Sequence, residues 1–406
     1  MDKHGKIRAK FPALKKEMVF LENAGGSQVP EFVIQKIDDY FRNQFVQPGA
    51  DYEVSRQATT TINQARRFLE VFFNVQDQGK IIMGPSTSAL CAMLADCYRR
   101  MEDPHRNEVV ICQAGHEANV GPWDRLKNEG FIVKTWQLDP GTFRCSLEQL
   151  EGLITSRTRI VAVVHTSNIL GEVMDMAEVC RMARRRGARV IIDGVAHTPH
   201  RAVDMRAVEA DFYCFSLYKV FGPHMAALYG SDEALQELEG PNHYFIRRDD
   251  IPYKFELGGV LHEGCAGILG LWEYLCFLTD TDPDLKFNRQ VVEDAYHIIQ
   301  KLEEPLVEKM LEYLSAHPRV RIIGSPQPSP RRVPTISFVH EKKTSREIAR
   351  AANEISLGIR SGHFYAHRLF EPLGLDPEDG VVRVSMVHYN TPDEVDRLCA
   401  FLDDIL

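Results

Sequence analysis

The sequence predicts an α/β protein: a large domain around a mostly parallel sheet, followed by a smaller C-terminal α+β domain. Two observations carry this. Between about residues 109 and 229, short apolar runs alternate with amphipathic helical patterns, as in strands joined by crossover helices. From about residue 284 that alternation gives way to one long helical stretch and then a mixed order of strands and helices. A chain of 406 residues is also long for a single core. The boundary is placed near residue 285, with residues 1–285 as N-terminal segment and large domain and 286–406 as the small domain.

In order, Met18–Leu21 reads as a short extended piece and Asn23-Ala24-Gly25-Gly26 as a turn. Amphipathic helices fit Pro30 to Phe45 and Thr59–Phe73. Strands are expected at Val109–Cys112, Ile132–Gln137, Ile160–His165, Arg189–Ile192, Asp211–Phe215 and Ala226–Tyr229. Helices are expected at Ser88–Arg100, Gly121–Asn128, Leu147–Ile154 and Met176–Arg186. In the last third a helix reaches Ala316. Strands fit Arg319–Ile323, Thr335–Val339 and Val381–Ser385, and helices fit Ser345–Ile355 and the stretch opened by the cap-like Thr391-Pro392-Asp393-Glu394.

Composition is that of an ordinary globular protein, 44% hydrophobic and 26% charged. A formal net charge of -9 gives no global reason to expect nucleic acid or an anionic membrane as partner. The basic run Arg181, Arg184, Arg185, Arg186 and Arg189 reads as a solvated helix end. Nine scattered cysteines without a C-x-x-C read as reduced thiols. The N-terminus leads into no apolar core of signal-peptide length, and no stretch approaches the ~18 apolar residues of a membrane span. A cytoplasmic location is the expectation.

Four features carry chemistry. In Ser216-Leu217-Tyr218-Lys219-Val220-Phe221-Gly222-Pro223 a lysine follows an apolar strand and precedes a Gly-Pro turn. Ligands of open α/β sheets bind beyond the carboxyl ends of strands, where a desolvated lysine can lose its charge and form imines. Asp193 ends the run Val190-Ile191-Ile192, where a carboxylate can keep a pyridine nitrogen protonated. Gly84-Pro85-Ser86-Thr87-Ser88 opens an apolar helix and offers N–H groups and hydroxyls to a phosphate. His116 follows the strand Val109–Cys112 and can stack on a planar ring. Each has an ordinary reading as cap, turn or solvated loop. Their joint occurrence, each at a strand end or helix start, points to pyridoxal 5'-phosphate (PLP).

With these residues the sequence resembles the class V aminotransferase family of PLP enzymes, in its cysteine desulfurase-like branch. The resemblance covers nearly the whole chain. It includes Leu21-Glu22-Asn23-Ala24-Gly25-Gly26, His165-Thr166-Ser167-Asn168-Ile169-Leu170-Gly171, Asp193-Gly194, the Lys219 segment, and Arg383-Val384-Ser385-Met386-Val387-His388-Tyr389-Asn390-Thr391. It implies the fold type I of PLP-dependent transferases, with a seven-stranded-type sheet, and a homodimer with active sites near the subunit interface. It implies that Lys219 holds the cofactor as a Schiff base and shuttles the substrate Cα proton. Asp193 would pair with the pyridine nitrogen and His116 would stack on the ring. Ser86, Thr87 and Ser216 would hold the phosphate, and Asn168 would sit near the cofactor O3′ and the substrate. Arg383 would clamp the substrate carboxylate, with Arg360 nearby.

The sequence also departs from the desulfurase pattern. Tyr218 replaces the histidine before the lysine, and Ala196, followed by His197, replaces a glutamine. Gly259 takes the place of a phosphate-binding threonine. In Arg360-Ser361-Gly362-His363-Phe364-Tyr365, Tyr365 stands where desulfurases carry their nucleophilic cysteine. The expected activity is therefore PLP-dependent C–S lyase chemistry on an L-amino acid, by β-elimination and without a loop persulfide. Tyr218 or Tyr365 would act as acid or pack the pocket. Transamination and epimerisation need the same lysine and arginine and stay open. A non-catalytic PLP-binding regulator lacks support from any nucleic-acid-binding module. No metal is expected: His197 and His200 are split by Pro199. The apolar, Gly-rich Gly258–Leu271 is the candidate for the dimer interface.

Overall fold

A computed structural model of the chain describes residues 2–101 and 103–406. In chain order the strands are β1 (Val19–Phe20), β2 (Gly79–Gly84), β3 (Glu108–Cys112), β4 (Ile132–Trp136), β5 (Thr158–Val164), β6 (Arg189–Asp193), β7 (Phe212–Ser216), β8 (Ala226–Ser231), β9 (Val320–Ile323), β10 (Thr335–His340), β11 (Leu357–Gly358), β12 (Arg360–Gly362) and β13 (Val381–Ser385). The large sheet has seven strands in the order β2-β8-β7-β6-β5-β3-β4. Its pairings are parallel except those of β8, which runs against both neighbours. Every residue of β3, β5 and β7 is buried, as in a parallel sheet covered on both faces.

Alternation along the strands divides two cores. Val161, Val163, Ile192, Tyr213 and Phe215 face the helices Glu53–Phe73 and His262–Leu278. Ile160, Ala162, Ile191, Phe212 and Cys214 face Thr87–Arg100 and Glu117–Asp124. The smaller sheet is antiparallel, β12-β13-β10-β9, and packs under Arg289–Ala316 and Pro392–Ile405. Capping boxes at Thr344/Glu347 and Thr391/Glu394 start its two later helices. The N-terminal segment joins this part of the molecule: β1 pairs with β11, and Ser385 N–H donates to the Leu21 carbonyl.

Several elements differ from the sequence reading. β2 was not expected; it has glycine at both ends and makes an edge of the sheet. The helix expected from Thr59 begins at Glu53, where no side chain caps it. The helix expected at Gly121–Asn128 begins at Glu117, because the His116 imidazole accepts the Ala118 N–H and acts as its cap. The stretch Gly258–Leu271 was not expected to be helical. From His262 it is helix, apolar on most of its surface and largely buried inside the chain. Gly270 lies where a Cβ would come within 2.6 Å of the Val33 Cα, so only glycine permits this close approach to the helix Glu31–Asn43.

None of the nine cysteines is disulfide-bonded, and all but Cys145 and Cys399 are buried. Among the described residues, no helix is long and apolar enough to cross a membrane.

Candidate active site

The carboxyl ends of β2, β3, β5, β6 and β7 open onto one cavity. Ser86, Thr87, His116, Asn168, Asp193, Ser216, Tyr218 and Lys219 all line it. Residues distant in sequence meet there because parallel strands deliver their ends to the same edge.

Lys219 ends a short 3-10 turn, Leu217–Lys219, that follows β7 directly. The turn is fixed by Leu217 N–H donating to the Met225 carbonyl and Gly222 N–H to that of Leu217. Lys219 is 9% exposed. Burial pushes its amine down to about 8, with the Arg383 charge adding to the effect and Asp193 and Glu22 opposing it. Asp193 is buried at the end of β6, and burial raises its carboxyl; the Val195 N–H, 3.0 Å from Oδ1, and Lys219 act against the rise. The next residue must be glycine, since a Cβ at Gly194 would meet the Tyr213 ring at 2.1 Å.

Ser86 caps the helix Thr87–Arg100 by accepting the Ala89 N–H at 3.2 Å, and Thr87 Oγ1 lies 2.8 Å from Ser216 Oγ. Two hydroxyls and the first turn of a helix, with its free N–H groups, form a natural anion cradle. His116 Nδ1 accepts the Ala118 N–H at 3.0 Å. Burial, then the charges of Lys219 and Arg383, pushes this imidazole down to about 4, so it is a neutral ring at physiological pH.

Arg383, in the middle of β13, is buried and reaches across to the segment that follows β5. Its Nη1 donates to the Asn168 carbonyl at 3.2 Å, and its guanidinium lies 3.7 Å from the Phe364 ring centroid. Its Nε has no hydrogen-bond partner, and burial pushes the group down to about 9. Asn168 donates from Nδ2 to the Phe364 carbonyl at 2.9 Å, while its buried Oδ1 is left without a partner. Arg360 stands farther out, its side chain 62% exposed and 3.3 Å from Glu22.

The two tyrosines are placed differently. Tyr218 stacks on His224 with ring centroids 5.0 Å apart, and burial pushes its phenol up, away from neutrality. A hydrogen bond with Ser216 opposes the rise, and the Asp193 carboxylate adds to it. Tyr365 is 64% exposed, with its ring 5.3 Å from that of His116. Its loop is pinned to the helix Glu117–Asp124. Glu117 N–H donates to the Tyr365 carbonyl at 2.8 Å, and Arg368 binds Glu117 and Asp124. His197 lies behind the site, stacked on His165 at 3.5 Å and bonded to Thr166, whereas His200 turns to Glu303. The pair therefore does not converge on a common point.

The aminotransferase class-V family model matches residues 19–398. The chain belongs to the class V aminotransferase family. It is 35% identical to an aminotransferase-like protein, FGM3, of Gibberella zeae, covering 98% of each chain. It is 31% identical to a cysteine desulfurase-like protein, ustD, of Aspergillus flavus, covering 98% of this chain and 90% of that one. Its fold matches the apo cysteine desulfurase of Thermococcus onnurineus with a TM-score of 0.87, at 22% identity over 100% of this chain and 98% of that chain. Class V aminotransferases are PLP-dependent enzymes, and this family member shares their fold and their cofactor. The residues present fit PLP: a buried amine of lowered pKa, a buried carboxylate, a hydroxyl-lined helix start and the orphaned acceptor Asn168 Oδ1 face the cavity.

The sequence reading assigned no role to Glu22, Phe364 or the Glu117–Arg368–Asp124 clamp. Glu22 lay inside a quoted motif, but nothing in the sequence joined it to Arg383.

Proposed function

We propose that this enzyme cleaves a Cβ–S bond of an L-amino acid by β-elimination, releasing the sulfur group directly and not onto an enzyme thiol. The observation that carries this reading is the loop of residues 360–367, which holds Tyr365 beside His116 and no cysteine. Cys399, the next cysteine along the chain, sits in the terminal helix, and burial pushes its thiol up to about 11. Such a thiol is a poor nucleophile.

Bound PLP supplies a protonated pyridine ring that takes up the electrons released at the substrate Cα. The rest falls to the chain. Arg383, helped by Asn168, receives the substrate carboxylate in its planar fork, with Arg360 beside it. Lys219 anchors the cofactor and moves the Cα proton; with its amine pushed down to about 8, a working fraction is uncharged near neutral pH. Asp193 keeps the pyridine nitrogen protonated. The neutral His116 ring would stack on the cofactor, and Ser86, Thr87 and Ser216 would hold its phosphate. Tyr218 is a wall of the pocket. Tyr365 shapes its mouth or protonates the departing sulfur.

Trapping tests the reading. After incubation with cysteine or a cysteine conjugate, alkylation and mass spectrometry are expected to find no turnover-competent persulfide on any of the nine cysteines. A persulfide that forms and decays at the turnover rate would refute it. Tyr365→Phe separates the two roles of that residue. A near-normal rate marks a shape role, and a loss of about 10²–10⁴ marks an acid.

Transamination is the second reading, favoured by the 35% identity to a protein named aminotransferase-like. Product analysis divides the two: elimination gives pyruvate, and transamination gives a 2-oxo acid that keeps the side chain. The active form is proposed to be a homodimer. Ile34, Phe41 and Phe45 are exposed, and an apolar groove of about 740 Å³ lined by Val29, Ile34, Ile37, Phe41 and Pro223 runs beside Tyr218. This surface, not the buried helix His262–Leu278, is the face for a second copy. The small domain is proposed to begin near residue 285, at the lead into the helix Arg289–Ala316.

A further inference from the structure

Arg383 meets a carboxylate of its own chain. Glu22 follows β1 and is bridged in parallel register to Ser385, with Asn23 N–H donating to the Ser385 carbonyl at 3.1 Å. That register sets Glu22 beside Arg383, two residues earlier on β13. Glu22 Oε1 lies 4.0 Å from Arg383 Nη2 and 3.3 Å from Arg360 Nη1. The carboxylate also fills the space above Gly25, where a Cβ would come within 2.5 Å of Oε1.

The two contacts differ in kind. Arg383 is 2% exposed and its Nε has no partner, so it is a dry cation with unused hydrogen-bonding capacity. At 4.0 Å its pair with Glu22 is too long for a hydrogen bond and leaves that capacity free. The Arg360 pair is closer and solvent-exposed, and it neutralises the guanidinium that neighbours Arg383 in register across β12 and β13.

We propose that Glu22 is a specificity-determining residue: it holds the place of the substrate carboxylate at Arg383 and yields it on binding, while it keeps Arg360 neutralised. This rests on Arg383 being the carboxylate clamp. The incoming carboxylate takes the hydrogen bonds that Glu22 does not make, and Glu22 remains with Arg360. The pocket thus presents one free guanidinium, not two. A second acidic group on the substrate has to compete with Glu22, so the enzyme selects amino acids with uncharged side chains over dicarboxylic ones.

The test is calorimetric titration of the PLP-loaded enzyme with succinate and with sulfate, neither of which carries an amine to react with the cofactor. In Glu22→Gln both anions are expected to bind about tenfold more tightly at low salt, and the gain should shrink as ionic strength rises. Gly25→Ala keeps every charge, but its methyl group displaces the Glu22 carboxylate, and it is expected to tighten both anions in the same direction. Glu22→Asp, with a shorter reach, should fall between native and Gln. Arg383→Lys is the control. If it weakens both anions while Glu22→Gln and Gly25→Ala leave them unchanged or weaker, Arg383 is the clamp and the Glu22 proposal is overturned. If Arg383→Lys changes nothing, the clamp reading fails, and this proposal with it.

Discussion

Lys219→Ala is expected to reduce turnover by about 10⁴-fold, the upper end for loss of a group that moves a proton in the rate-determining step. Measured by single-turnover product formation, the loss should appear in kcat, because the substrate carboxylate is held elsewhere. Borohydride reduction of the native enzyme should attach the cofactor to the peptide bearing Lys219, and attachment at another lysine would remove Lys219 from the site. The lowered amine pKa adds a pH signature. Only the neutral amine is nucleophilic, so the cofactor-free chain should take up PLP faster as pH rises through about 8. Stability follows the same titration. Between about 8 and the ordinary 10.5 the unfolded chain keeps a proton on Lys219 that the folded chain has lost, so cofactor-free stability should rise with pH across that window. Denaturant titrations that show the same rise in Lys219→Ala would assign it to another group.

Arg383→Ala is expected to weaken binding of the substrate carboxylate by roughly 2–5 kcal/mol, or about 30- to 5,000-fold in kcat/KM. The size follows from burial. A guanidinium 2% exposed meets its partner in a dry site where water cannot take its place, and the substrate carboxylate would otherwise be left unpaired. The loss should be much smaller for an amine that lacks the carboxylate, which tells a lost clamp from a damaged fold. Truncation also removes the cation stacked on Phe364, so the loop of residues 360–367 should loosen, as hydrogen exchange of the Tyr365 and Ala366 amides would show. Unchanged substrate affinity would take Arg383 out of the binding site.

The strands of the large sheet were legible because burial on both faces leaves near-continuous apolar runs. β3 and β5 to β8 fall within two residues of where those runs place them. The helix His262–Leu278 was missed for the same reason in reverse. Burial of most of its surface erases the broad polar face that a 3.6-residue period requires, so Gly258–Leu271 read only as an apolar, Gly-rich stretch and candidate interface. The start of the helix Glu117–Asp124 was missed because its cap is an imidazole, and β2 because an edge strand with two glycines carries little pattern.

By itself the sequence determined the α/β architecture, the family and the cofactor, and it picked out Ser86, Thr87, His116, Asn168, Asp193, Ser216 and Lys219, which line one cavity. These residues are readable because each is tied to a local rule, a strand end or a helix start, and parallel strands bring their ends together without further instruction. Only the tertiary structure decided how the charges are set. Whether Lys219 is desolvated, whether Tyr218 moves toward or away from neutrality, and which carboxylate stands before Arg383 depend on groups far apart in the chain. Glu22 meets Arg383 because the segment after β1 runs alongside β13, bridged at Ser385. Burial and Coulomb interaction act through space, and local sequence patterns do not encode such distances.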